Sequence, residues 1–201
     1  MGIVHPGVPQ KLALWLRDKT AAKDFIETGT YLANTTLWAA QHFDRVISIE
    51  ADPKLYDRAR KGLALCTNVD VRLGRSQGML AVLVRKLSHP ALIWLDAHWC
   101  DGDIAVAGED EECPLLEEIA AIDTGITQHL ILIDDARYFL NRLPPPHKHE
   151  HWPSAGAMIE QLRAKYDSYI CVMDDVVIRL PIALQDSFEA FIKKPPRPEA
   201  I

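Results

Sequence analysis

The sequence is short of cysteine, of basic charge and of long apolar runs, and each shortage closes off a class of protein. Only four cysteines occur among 201 residues (Cys66, Cys100, Cys113 and Cys171). They are widely spaced with no CxxC pair, so neither a disulfide framework nor a zinc knuckle is expected. Acidic residues outnumber basic ones, giving a formal charge of −6, whereas a general nucleic-acid binder needs a basic face to displace phosphate counterions. No apolar run approaches the ~20 residues that cross a bilayer. Residues 1–6 hold no basic stretch followed by an apolar one, so no signal peptide is expected, and Pro6 stands where a myristoylation signal wants Ser or Thr. Glycine never falls in the spacing G-x-G-x-x-G, which removes the usual cradle for a dinucleotide pyrophosphate. A cytoplasmic protein with reduced thiols and with neither nucleic acid nor membrane as partner is the expectation.

What is present suits a single globular domain: 48% hydrophobic and 25% charged residues can cover a sizeable core. Helical and strand patterns alternate. Residues 11–19 read as a helix, 24–27 as a strand, 34–43 as a helix and 45–50 as a strand. Residues 53–65 form a helix opened by Asp52 as N-cap and Pro53 at its first position. Strand 69–73, helix 78–87, apolar strand 91–96, helix 113–122, apolar strand 129–134 and helix 153–166 follow. Residues 169–173 and 176–180 make a hairpin turning at Asp174-Asp175. Alternation of this kind implies an α/β fold with a mostly parallel sheet covered on both faces, the hairpin adding an antiparallel edge. One domain over 1–192 and a Pro-rich flexible tail over 193–201 are expected, with 143–152 as a mobile loop.

Ligands of such sheets bind outside the carboxyl ends of the strands. Here those ends are acidic: Glu27-Thr28-Gly29, Glu50, Asp96 and Asp134-Asp135. A carboxylate closing a buried strand needs a partner. Gly29 lets a ligand approach the backbone; Asn34, Thr35 and Thr36 can cap the following helix; and Glu50, with Ala51 beside it, is placed to accept both hydrogens of a ribose diol.

Glu27-Thr28-Gly29 followed by an acidic end to the second strand resembles the class I S-adenosylmethionine-dependent methyltransferases over about residues 24–180. The resemblance implies a Rossmann-like methyltransferase fold with a seven-stranded sheet, and S-adenosylmethionine as cofactor. Glu27, Thr28, Gly29, Thr30, Tyr31, Asn34 and Thr35 would then line the cofactor, with Glu50 and Ala51 at the ribose, Ser76 near the adenine and Asp96 at the far end. Asp96 together with Asp134-Asp135 is similar to the metal-dependent O-methyltransferases of small molecules, including those tailoring natural-product sugars. That implies Asp96, Asp134 and Asp135 as ligands of a divalent metal, magnesium suiting such hard oxygens, with Asp96 and His98 in catalysis and His98 as general base. Partners would be a hydroxylated small molecule and, at most, a second copy in a homodimer.

Alternatives stand beside this. Asp134-Asp135 can be an ordinary helix or turn cap with Arg137 as ion-pair partner, and His98 a hydrogen-bonding pocket residue. The acidic stretch 100–112 reads as a lid or a solvated loop. His147, His149 and His151 share one face in extended backbone, where they could hold a transition metal, or are incidental. Trp94 belongs to the core by default, and Trp99 and Trp152 could wall an acceptor ring. A cofactor-binding protein without turnover is the main rival function; a nucleotide-dependent oxidoreductase or epimerase is a weaker one.

Overall fold

The computed structural model describes residues 7–99 and 112–193. In chain order these form α1 (Gln10–Thr20), β1 (Asp24–Thr28), α2 (Asn34–Ala40), β2 (Arg45–Glu50), α3 (Pro53–Gly62), β3 (Val69–Leu73), α4 (Ser76–Val84), β4 (Ala91–Leu95) and α5 (Leu115–Ile122). Then come β5 (Leu130–Ile133), α6 (Ala136–Leu140), α7 (Ala155–Arg163), β6 (Ser168–Met173), β7 (Val176–Pro181) and α8 (Gln185–Lys193). The strands pair as β3-β2-β1-β4-β5-β7-β6, parallel from β3 to β5 and antiparallel at β7 and β6. This is the mostly parallel sheet with an antiparallel edge that the alternation implied, in the seven-stranded Rossmann-like form that the resemblance implied. Chain order reverses between β1 and β4, and the crevice above that switch is where such a sheet takes its ligand.

The period of two along each strand sorts the core into two layers. Ile26, Ile93, Leu95, Ile131 and Ile133 pack with Leu80 of α4, Ile119 of α5 and Met158 of α7. Phe25, Leu92, Trp94, Leu130 and Leu132 pack with Leu12 and Leu16 of α1 and Phe188 of α8. β1, β4 and β5 are therefore buried along their whole length, the reason β4 and β5 read as continuous apolar runs. Trp94 is fully buried, as its default required. Asp52 caps α3, accepting from the amides of Lys54 and Leu55 at 2.6 and 3.0 Å ahead of Pro53. Asp174 and Asp175 both adopt left-handed backbone at the β6–β7 turn, as a two-residue hairpin demands.

Two elements were not anticipated, α6 and α8. The 143–152 segment also departs from expectation. Glu112 pins it by accepting from Trp152 Nε1 at 2.8 Å and from the Lys148 amide at 3.1 Å, and Leu143 and Trp152 are buried. The stretch 100–111 and the tail 194–201 lie outside the described residues. No helix among the described residues is long and apolar enough to cross a membrane.

Candidate active site

The β1–α2 turn is built around two carboxylates from neighbouring strands. Glu27 projects from β1 on the α1 side of the sheet and is almost wholly buried. Thr36 of α2 donates to its Oε2 at 2.5 Å and Ser48 of β2 at 2.7 Å, with Thr30 in turn bonded to Ser48 at 2.7 Å. Burial pushes the Glu27 carboxyl up to about 7; the two hydroxyls partly offset this, and the charge of nearby Glu50 adds to it. Glu50, also buried, accepts from the amide of Tyr31 through Oε2 and of Asp52 through Oε1, each at 2.9 Å. The two acids predicted at separate strand tips therefore stand side by side. Ala51 follows, half-buried.

The turn itself is unusual backbone. Gly29, Tyr31 and Ala33 all have positive φ, of 82°, 47° and 62°. Gly29 is required by its own surroundings: a Cβ there would lie 2.2 Å from the carbonyl oxygen of Asp96. Its missing side chain lets β1 and β4 close on one another, so the close approach is to the protein's own backbone. Helix α2 starts from Ala33 with no side-chain cap. Asn34, Thr35 and Thr36 do not cap it, because Thr36 is drawn to Glu27, Asn34 is exposed and Thr35 lies against Gly7.

On the opposite face of β1, the Thr28 hydroxyl accepts from the Asp96 amide at 3.3 Å and sits with that of Ser76, the first residue of α4, against Glu118 of α5. Glu118 is buried and its Oε1 has no partner; burial pushes this carboxyl up to about 7 as well. Gln77, beside Ser76, also holds a buried carboxamide oxygen without a partner. Sequence reasoning missed both. A signal for Glu118 was present, since it falls on the apolar stripe Leu115, Ile119 and Ile122 of its helix.

On the acceptor side, Asp96 and Asp134 close β4 and β5. Burial and the charge of Asp134 push Asp96 well above the usual carboxylate range. Asp134 is pushed up to about 6 by burial and by Asp135. Its Oδ1 accepts from the Asp135 amide at 2.8 Å, while its Oδ2 is buried without a partner.

Asp135 goes elsewhere. It turns into left-handed backbone (φ 56°) at the start of α6. One oxygen meets His98 Nε2 at 3.0 Å, the other Arg137 Nη1 at 2.6 Å. Although burial works the other way, His98 and Arg137 hold its carboxyl well below the usual range. Arg137 also bonds Asp175 in the hairpin turn. The expected trio of metal ligands is therefore divided, with Asp135 taken by the ion pair. No group of three His, Cys, Asp or Glu among the described residues is arranged to hold a metal ion.

That holds for the histidine run too. Residues His149–His151 form a turn of 3-10 helix, which splays alternate side chains apart. The His147 ring lies against Trp152 at 5.4 Å and Trp99 at 5.1 Å. With His98, Tyr138 and Phe139 these rings form one aromatic cluster beside the acceptor carboxylates.

The O-methyltransferase TomG of Streptomyces achromogenes, involved in tomaymycin synthesis and solved with S-adenosylmethionine, superposes with a TM-score of 0.55 at 18% identity, over 88% of this chain and 80% of its own. The chain has a class I methyltransferase fold. An O-methyltransferase of Bacillus cereus, solved with S-adenosylhomocysteine, gives 0.56 at 18% identity, covering 87% of this chain and 81% of its own. The precorrin-6y C5,15-methyltransferase of Geobacter metallireducens gives 0.53 at 14%, covering 88% and 90%. No family model matches the sequence, and no curated protein does. The methyltransferase fold thus stands on architecture, and architecture does not choose the acceptor.

Proposed function

We propose that this protein transfers a methyl group from S-adenosylmethionine to a hydroxyl of a small molecule. The observation that carries this reading is the set of carboxyls around the β1–β4 switch, Glu27, Glu50 and Asp134 buried and Asp96 half-buried, three of them held above their ordinary range. Such a cleft favours a cation. A sulfonium with an ammonium group is that kind of ligand, whereas a pyrophosphate would be repelled.

In this reading Glu50 takes the ribose hydroxyls on lone pairs left by its two amide donors. Glu27 and the Thr30–Tyr31 turn flank the methionine portion, and Ser76 with Gln77 Oε1 meets the adenine. The cofactor, when bound, supplies a methyl carbon made electrophilic by its sulfonium. Transfer would form the bond from acceptor oxygen to that carbon as the carbon–sulfur bond breaks, and His98 would take the hydroxyl proton. Asp135 would orient the His98 ring by accepting a hydrogen bond from its Nε2. Rate enhancement would come chiefly from in-line positioning. Three cysteines with free thiols, Cys66, Cys113 and Cys171, suit the cytoplasm.

Magnesium remains part of the proposal in reduced form. Asp96 and the unpartnered Oδ2 of Asp134 suit a hard cation that takes one or two carboxylates and completes its shell with water and acceptor oxygens. Bound there, it would lower the pKa of the acceptor hydroxyl.

The test is a thermal melt with S-adenosylhomocysteine, followed by product detection against a pool of hydroxylated acceptors. Saturating ligand should raise the melting temperature by mass action, and Glu50→Ala should abolish the rise. A melt indifferent to the ligand sinks the reading. Binding without product, across acceptors and with magnesium supplied, would favour the cofactor-binding protein without turnover.

A further inference from the structure

Glu118 stands apart from the carboxyls that this reading already uses. It reaches from α5 to the opposite side of the sheet from Glu27, where Thr28 of the β1 tip and Ser76 of the α4 start meet it. Those two residues belong to the segments that flank the two ends of the proposed cofactor. A purely structural tie would leave a buried carboxyl satisfied. Here one oxygen has no partner, and an unsatisfied charged oxygen inside a protein is costly. The charged or titratable groups acting on it are His98 after β4, Glu117 on its own helix and the Cys113 thiol ahead of α5. Of these only His98 can favour the ionised form, and it is already committed to Asp135.

We propose that Glu118 reads the charge of the bound cofactor, holding a proton when the cleft is empty or carries the neutral thioether product and releasing it when a sulfonium is bound. The inference rests on the methyltransferase reading. Its chemistry is a simple exchange: one positive charge enters the cleft, and one proton leaves the carboxyl for solvent. It makes the protein prefer S-adenosylmethionine over S-adenosylhomocysteine more strongly as pH rises, because only the first displaces the proton. A site of this kind relieves product inhibition above neutrality.

Calorimetric titration of the intact protein at pH 6.5, in buffers of different ionisation heat, counts the protons released. With its carboxyl at about 7 before binding, Glu118 should contribute about 0.75 of a proton to the excess that S-adenosylmethionine releases over S-adenosylhomocysteine. Glu118→Gln should cut the excess by that amount while both ligands still bind, leaving the share of Glu27, whose carboxyl also stands at about 7 before binding. Should Glu118→Gln not fold, difference infrared spectroscopy of the parent keeps the test alive: a protonated-carboxyl band should vanish on adding the sulfonium and persist with the thioether. Equal proton release by the two ligands, an unchanged difference in Glu118→Gln, or a band that persists with both would overturn the proposal and leave the methyltransferase reading standing. If neither ligand binds the parent protein, both fall together.

Discussion

Glu27→Gln should make the protein more stable while removing the function proposed for it. Burial holds this carboxyl at about 7 against an ordinary 4.5, a difference equivalent to about 3 kcal/mol against the ionised form. The sign follows from linkage: the native state keeps a proton that the unfolded chain has lost. The stabilisation is therefore fully present below 4.5 and disappears progressively as pH rises through about 7. Glutamine has nearly the same shape, can accept the bonds of Thr36 and Ser48 through its carbonyl oxygen, and never ionises. Urea denaturation at pH 5 and pH 8, followed by circular dichroism, should show the variant about 1 kcal/mol more stable than the parent at pH 5 and about 3 kcal/mol more stable at pH 8. Its affinity for S-adenosylmethionine should fall at least tenfold, since the side chain facing the sulfonium has lost its charge. A variant no more stable than the parent at pH 8, or one that gains equally at both pH values, would show that Glu27 is not a strained buried carboxyl.

Ala33 begins α2 in left-handed backbone, so Ala33→Gly should be neutral or stabilising by up to about 1 kcal/mol in urea denaturation, whereas an alanine-to-glycine change elsewhere in a helix destabilises. Arg137→Met takes from the fully buried Asp135 its guanidinium partner, and should cost about 3 kcal/mol in the same assay. Trp152→Phe removes a donor from Glu112; a loss of about 1 kcal/mol is expected, with faster amide exchange confined largely to 143–152. Excess EDTA should lower turnover at least tenfold, and Asp134→Asn should do so with magnesium present; full activity under both conditions would leave Asp96 and Asp134 sharing a proton in place of a metal.

The seven strands were legible to within a residue or two, β4 and β5 because burial on both faces leaves a run such as Ala91–Leu95 with no polar position to confuse its boundaries. The helices were read less well for a physical reason. α6 has five residues and is started by a backbone reversal at Asp135, which no periodicity signals. α8 packs Phe188 and Phe191 against Trp15 at the far end of the chain, so its stability is tertiary. The carboxyls at the strand ends were legible because topology sends all parallel strand tips to one crevice. Glu118 and Gln77 were not, because a helix residue reaches the same crevice only through the rotation of that helix about its axis, which is fixed by packing on its neighbours.

The separation of Asp134 from Asp135 shows how one peptide unit decides the electrostatics of the whole cleft. Past the last residue of β5, Asp134 keeps the side of the sheet it would have had as a strand residue, beside Asp96. Asp135 reverses the chain and is sent to His98 and Arg137. One carboxylate is thereby neutralised by the protein's own cation and orients a histidine. The other retains an unpaired oxygen and repels Asp96. Two adjacent acids of identical chemistry thus acquire opposite demands: Asp135 is complete without a ligand, and Asp134 is not. The unmet demand for positive charge is concentrated on the Glu27, Asp96 and Asp134 side of the crevice, where the methyl group and its acceptor would have to meet.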